Sequence, residues 1–205
     1  MFELDHIAVA AETLAEGVAA VEAALGVELA PGGQHDRMGT HNRLLSLGEG
    51  VYLEVIAINP EAPAPDHPRW FDLDRFAGAP RLSNWIVRCD DLERELAASV
   101  DGAGRALAFQ RGDLQWSMGV PTDGVLPFDG AHPALIEWHA GRHPSVVLPD
   151  VGCRLVSLEV IHPEAAAVRA ALSGRLADPR VTIVAGAEPA FRAEIQTPKG
   201  LCVLT

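Results

Sequence analysis

The sequence repeats one unit, and that repeat constrains the fold more than any other feature. An apolar run of β type, LDHIAVA at residues 4–10, leads into AETLAEGVAAVEAALG. There Leu14, Val18, Val21 and Leu25 fall at helical spacing before a stop at Gly26. The strand-like runs VELAPG, NRLLSLG and VYLEVIAINP follow, with turn residues between them. The same order restarts at LSNWIVRC, residues 82–89. Its helix is DDLERELAASV, opened by an Asp cap at Asp90 or Asp91, and its strands are GRALAFQRG, LQWSMGVP and ALIEWHA. VSLEVIHP, EAAAVRAALSGRL, RVTIVAGA, FRAEIQTP and GLCVLT read as a third, shorter copy. The expected class is α+β, built from repeated βαβββ modules, because repeated units bury their apolar faces against one another. The divisions are 1–60, a Pro-rich connector at 61–81, 82–140 and 141–205, all in one compact chain. The connector, with its prolines, cannot extend a ladder or a helix and should lie as an ordered loop over a surface.

Composition narrows the function. With 48% hydrophobic residues the chain is not generally disordered. Sixteen basic against 28 acidic residues, net −12, argue against a nucleic-acid partner, which needs a basic face. No apolar run reaches the roughly 20 residues of a membrane helix, and the first residues lack a basic leader, so no membrane partner and a cytoplasmic location are expected. Cys89, Cys153 and Cys202 form no CxxC and read as reduced thiols. There is no GxSxG, P-loop or GxGxxG motif.

The motifs Asp5-His6-Ile7, Gly32-Gly33-Gln34-His35, Gly39-Thr40-His41-Asn42, Tyr52-Leu53-Glu54 and Arg69-Trp70 resemble those of glyoxalase-like domain proteins. These lie within the vicinal oxygen chelate superfamily, with glyoxalases, bleomycin-resistance proteins and extradiol dioxygenases. The resemblance implies paired modules curled into an open cup with helices outside, and metal ligands on the first and fourth strands of each module. Position by position it implies His6 and Glu54 from the first module, with Asn84 and Glu137 from the second. Strand alternation agrees, grouping His6 with Leu4 and Ala8, Glu54 with Tyr52 and Ile56, and Glu137 with Leu135 and His139. A carboxylate inside an apolar strand is costly unless paired or metal-bound.

The expected metal ligands are therefore His6, Glu54 and Glu137, holding a divalent ion (Zn, Ni, Mn or Fe). Glu137 is also the expected catalytic base for isomerase- or lyase-type proton transfer beside a carbonyl. Asn84, a short amide where the superfamily has His or Gln, is read as a substrate hydrogen-bonder, and the third copy offers only Ser157. His35 and His139 are expected to line the cup, with Arg69 and Trp70 a lid over a small-molecule substrate. Each has a plainer reading: a core histidine for His6, a rim acid for Glu137, a solvated loop residue for His35, a loop anchor for Arg69 and Trp70. The alternative functions are a metal-free sequestering protein, using Trp85, Trp116 and Trp138, or a degenerate member without activity. A homodimer is left open.

Overall fold

In the computed structural model, which describes residues 1–48 and 50–205, an eight-stranded sheet curls into a cup and a four-stranded sheet packs outside it. The first module runs β1 (Glu3–Ala10), α1 (Leu14–Leu25), β2 (Ala30–His35), β3 (Thr40–Ser46) and β4 (Tyr52–Ile58). The second runs β5 (Arg81–Arg88), α2 (Leu92–Ala97), β6 (Arg105–Arg111), β7 (Leu114–Val120) and β8 (Ala134–Ala140). A short α3 (Pro144–Val147) leads to β9 (Arg154–His162), α4 (Ala165–Ala171), β10 (Val181–Ala185), β11 (Ala190–Thr197) and β12 (Gly200–Leu204). The helices start and stop on local chemistry. Thr13 Oγ1 accepts the Glu16 N–H and donates to the Glu16 carboxylate, a reciprocal cap, and Gly26 ends α1 at φ 67°. Asp91, rather than Asp90, caps α2 by accepting from Arg94 N–H.

The large sheet has the order β2-β3-β4-β1-β5-β8-β7-β6. In each module the first and fourth strands pair parallel, and the modules join where β1 meets β5 antiparallel. Its two edges approach each other, with Arg37 donating to the Ala108 carbonyl and the Arg111 stem packed over Gly33. Two apolar clusters result. Ala8, Ala10, Ile56, Ile86, Met118 and Ile136 face the inside of the cup. Leu4, Ile7, Val9, Leu53, Val55 and Trp85 face outward, onto α1, α2 and the four-stranded sheet.

Two differences from the sequence reading matter. The third unit keeps the element order but not the wiring: its order is β10-β9-β11-β12, with β10 directly parallel to β9. It forms no second cup; Leu158, Val160, Phe191 and Ile195 complete the outer core instead. The β1–β5 seam also carries two one-residue bulges, at Asp5 and at Ser83, each just before the residue expected to enter the cup. A bulge shifts the alternation by one position. Leu4 consequently joins Ile7 and Val9 outside rather than His6 inside, and Asp5 lies beside His6.

Candidate functional site

His6 and Glu54 meet inside the cup. His6 Nε2 lies 3.5 Å from Glu54 Oε2, and both residues are buried. Each is held from behind. His6 Nδ1–H donates to Asp5 Oδ1 at 2.7 Å, and the imidazole stacks on Tyr52 with ring centroids 4.4 Å apart. The Asn42 amide donates to Glu54 Oε1, while its own oxygen accepts from Gly33 N–H. Asp5, fully buried, also accepts from Trp138 Nε1–H at 3.0 Å and from His143 Nε2–H at 2.9 Å, with Arg88 Nη1 at 3.7 Å. The array reads His143/Trp138–Asp5–His6–Glu54–Asn42.

Burial alone would push the His6 imidazole down, but Asp5 and Glu54 bond and attract its proton and raise it to about 9. Burial would likewise raise Glu54 and Asp5. The His6 contact and the Asn42 bond hold Glu54 at about 2, and His143 and His6 hold Asp5 well below the carboxylate range. At neutral pH the centre is an imidazolium between two carboxylates. His35 also lines this wall, its Nδ1 3.0 Å from Thr40 Oγ1; burial, with Arg111 and His6 nearby, lowers it to about 4 and keeps it neutral.

The opposite wall is apolar: Trp116, Trp138, Met118 and Ile136. Trp70 and Phe71, in a single helical turn of the connector, close the interior, with Trp70 5.0 Å from both His35 and Phe109 by ring centroid. The space left is about 30 Å³. That admits two or three waters at most, each needing about 10–15 Å³, and no larger molecule while Trp70 and Phe71 stay in place.

Several expected members stand elsewhere. Glu137 is on the outer face of β8, where its Oε2 accepts the Leu92 N–H at the start of α2. The register explains the correction. Glu54 stands opposite Ala8, and Ala8's counterpart Ile86 stands opposite Ala134. Glu137 is therefore three residues out of register with Glu54, and an odd offset reverses the face. His139 shares that outer face, bonded to Ser117 Oγ at 2.8 Å and 3.5 Å from Glu137, so it does not line the cup. Arg69 is stapled to Asp74 by its backbone N–H and guanidinium, which makes it a loop anchor. Trp70 enters the cup as a plug. Asn84 is buried but lines a separate chamber. Trp85 is an outer-core residue donating to the Ala131 carbonyl.

The sequence reading missed Asp5, Asn42, Tyr52 and His143 as parts of the site. Alternation placed Asp5 on the wrong face. Asn42 carried a readable signal, a polar residue two positions from Leu44 on a strand opposite Glu54's own.

The donor set does not fit the expected three-ligand metal shell. Glu137 is turned outward and Ala134 and Ile136 hold the matching inner positions of β8. Among the described residues no group of three or more His, Cys, Asp or Glu side chains is arranged to hold a metal ion. Nor, among them, is any helix long and apolar enough to cross a membrane.

A family profile described as glyoxalase-like domain matches residues 4–176. A search of the curated proteins finds no significant match. Among solved structures, a hypothetical protein from Staphylococcus aureus superposes with a TM-score of 0.61 at 12% identity, over 93% of this chain and 88% of that one. Methylmalonyl-CoA epimerase from Mycobacterium tuberculosis gives 0.44 at 18% identity, over 70% and 91%. A Streptomyces coelicolor methylmalonyl-CoA epimerase variant in complex with 2-nitronate-propionyl-CoA gives 0.46 at 16%, over 68% and 97%. At these identities the first likeness is one of fold.

Proposed function

Because the chain belongs to the glyoxalase-like domain family, we propose that its cup is the active site of an isomerase-type enzyme that moves a proton at a carbon next to a carbonyl in a small molecule. The observation that supports this is the buried His6–Glu54 pair, with Asp5 and Asn42 fixing its two ends. A carbonyl oxygen entering between the two side chains takes the His6 Nε2–H as its donor. Negative charge that develops on that oxygen then meets an imidazolium already oriented by Asp5, in a buried cavity where such a contact is strong. The same entry parts Glu54 from its nearest cation. Burial, which favours the neutral acid, then acts on Glu54 with less opposition and raises its basicity. Glu54 takes the α-proton of an α-hydroxy carbonyl compound and the C–H electron pair becomes the enediolate; the Glu54 acid then returns the proton to the neighbouring, former carbonyl carbon while the hydroxyl proton passes to the oxygen held by His6, which completes the isomerisation. With Trp70 and Phe71 displaced from the cup, the apolar wall of Trp116, Trp138 and Met118 would receive the rest of the substrate.

Incubation with a panel of small α-hydroxy ketones, 2-oxo acids and thioesters in D2O, followed by proton NMR, tests it. Deuterium should enter the α position of at least one compound with the wild type. Glu54→Gln should lower that rate at least about 100-fold, since an amide cannot take the proton. Absence of exchange with every compound, while aromatic ligands still protect the protein thermally, would replace the enzyme with a sequestering protein that uses the tryptophan wall.

A further inference from the structure

One cation lines the cup without belonging to the array around His6. Arg111, the last residue of β6, borders the same cavity as His6, Glu54 and Trp138. Its stem lies over Gly33 of β2, where the two edges of the large sheet approach, and only a glycine leaves it that room. A Cβ on Gly33 would stand 2.4 Å from Arg111 Cδ and 3.0 Å from its Nε. Gly33 N–H and Arg111 Nη1 both donate to Asn42 Oδ1, at 2.8 Å and 3.4 Å. The guanidinium is thereby set one amide away from Glu54, which the Asn42 NH2 holds. Its field reaches inside the cup. Arg111 helps to keep His35 neutral, and it opposes the rise that burial gives the Tyr52 phenol.

The other arginines around the cup are engaged. Arg88 pairs with Glu3 and Arg69 with Asp74, while Arg37, across the seam, donates to the Ala108 carbonyl and lies over the Phe109 ring. Arg111 makes no ion pair among the described residues, and its one side-chain partner there is the long contact to Asn42. Its Nε and Nη2 have no partner among the described residues, yet neither is sealed from solvent. Nor does it serve chiefly as the counter-ion of Glu54, which His6 and Asn42 hold down.

A guanidinium carries its donors in a planar fork that matches two oxygens of a carboxylate or a phosphate. Here such a fork is half-buried, held in place by Gly33 and Asn42, and has N–H groups to spare. We propose that Arg111 sets the specificity of the cup by binding the carboxylate or phosphate of an anionic α-hydroxy carbonyl substrate. The Asn42 amide would stand between that anion and Glu54, so that the two negative groups do not meet. The inference rests on the reading of the cup as the substrate site, opened by displacement of Trp70 and Phe71, and not on the proton transfer itself.

Two matched pairs of compounds test it: hydroxypyruvate against hydroxyacetone for a carboxylate, and dihydroxyacetone phosphate against dihydroxyacetone for a phosphate. Shifts of the 15N-labelled full chain give Kd, and deuterium entry in D2O followed by proton NMR gives turnover. In at least one pair the anion should bind the wild type at least about tenfold more tightly than its neutral partner, the worth of a charge-assisted contact. The pair that does so shows which anion the site takes. Arg111→Gln should weaken that anion at least about tenfold and leave the neutral partner within about twofold. In a compound that exchanges, it should raise KM and nearly keep kcat. Arg111→Lys should recover part of the loss, because an ammonium keeps the charge without the fork. Equal affinity within both pairs, no binding of either anion, or equal losses of anion and neutral compound in Arg111→Gln would each overturn the proposal. The last would make Arg111 a clasp between the sheet edges. Anion-selective binding without deuterium entry would support Arg111 in this role and overturn the isomerase instead.

Discussion

Replacing Asp5 by Asn should be the most damaging isosteric change in the protein. The Asp5 carboxylate is fully buried and accepts from His6, Trp138 and His143, with Arg88 close by. An amide offers one acceptor oxygen where two stood, and it turns an NH2 toward at least one donor. Removing one partner of a buried charged network costs about 3–5 kcal/mol. An independent route reaches the same range. The His6 imidazole rises from 6.5 to about 9, which corresponds to about 3 kcal/mol of preference for the charged ring, held mainly through Asp5 and Glu54. The sign follows from the raised value. This stabilisation is fully present below about pH 6.5, declines as the pH rises, and is lost through about pH 9. For a chain of this size, about 2–4 °C per kcal/mol turns the loss into a Tm drop of about 6–20 °C at pH 6. Urea unfolding followed by tryptophan fluorescence, with 15N NMR titration of His6, measures both effects. His6 should titrate lower in the variant, and the stability gap should narrow between about pH 6 and pH 10. A variant within about 1 kcal/mol of the wild type at pH 6, or a gap unchanged across that range, would refute the argument.

Glu137→Gln should leave proton exchange unchanged and cost about 1 kcal/mol in urea unfolding, the worth of the α2 N-terminal contact to Leu92; lost exchange at intact stability would return Glu137 to the chemistry. Trp70→Ala should destabilise by about 3–5 kcal/mol, as other buried aromatic truncations do. It should also speed ligand entry in stopped-flow binding, because the plug is gone; unchanged entry rates would show that Trp70 does not close the cup. Gly124→Ala should cost more than about 2 kcal/mol by thermal unfolding, since its Cβ would stand 2.0 Å from the Arg69 carbonyl oxygen at φ +78°. A neutral result would mean that the loop and the connector yield together.

What the sequence determined by itself is what is local or repeated. Period-two alternation placed Glu54 with Tyr52 and Ile56 on one face, helical spacing with Thr13 and Gly26 bounded α1, and the repeat announced two modules of one design. The motifs carried the family. Tertiary structure alone decided everything that depends on how one strand registers against another. A single extra residue at Asp5 turned a supposed outer side chain into the anchor of His6. The register of β8 against β5 sent Glu137 to the helix side. Neither shift leaves a trace along the chain, because alternation is a property of one strand while register belongs to a pair. The connector shows the same limit. Its composition marks a loop, but that Trp70 fills the cup and Arg69 grips Asp74 follows from the space the modules leave between them. The third unit has the right element order, yet β10 pairs directly with β9, and packing against the outer face of the large sheet made it a cover for the core instead of a second cup.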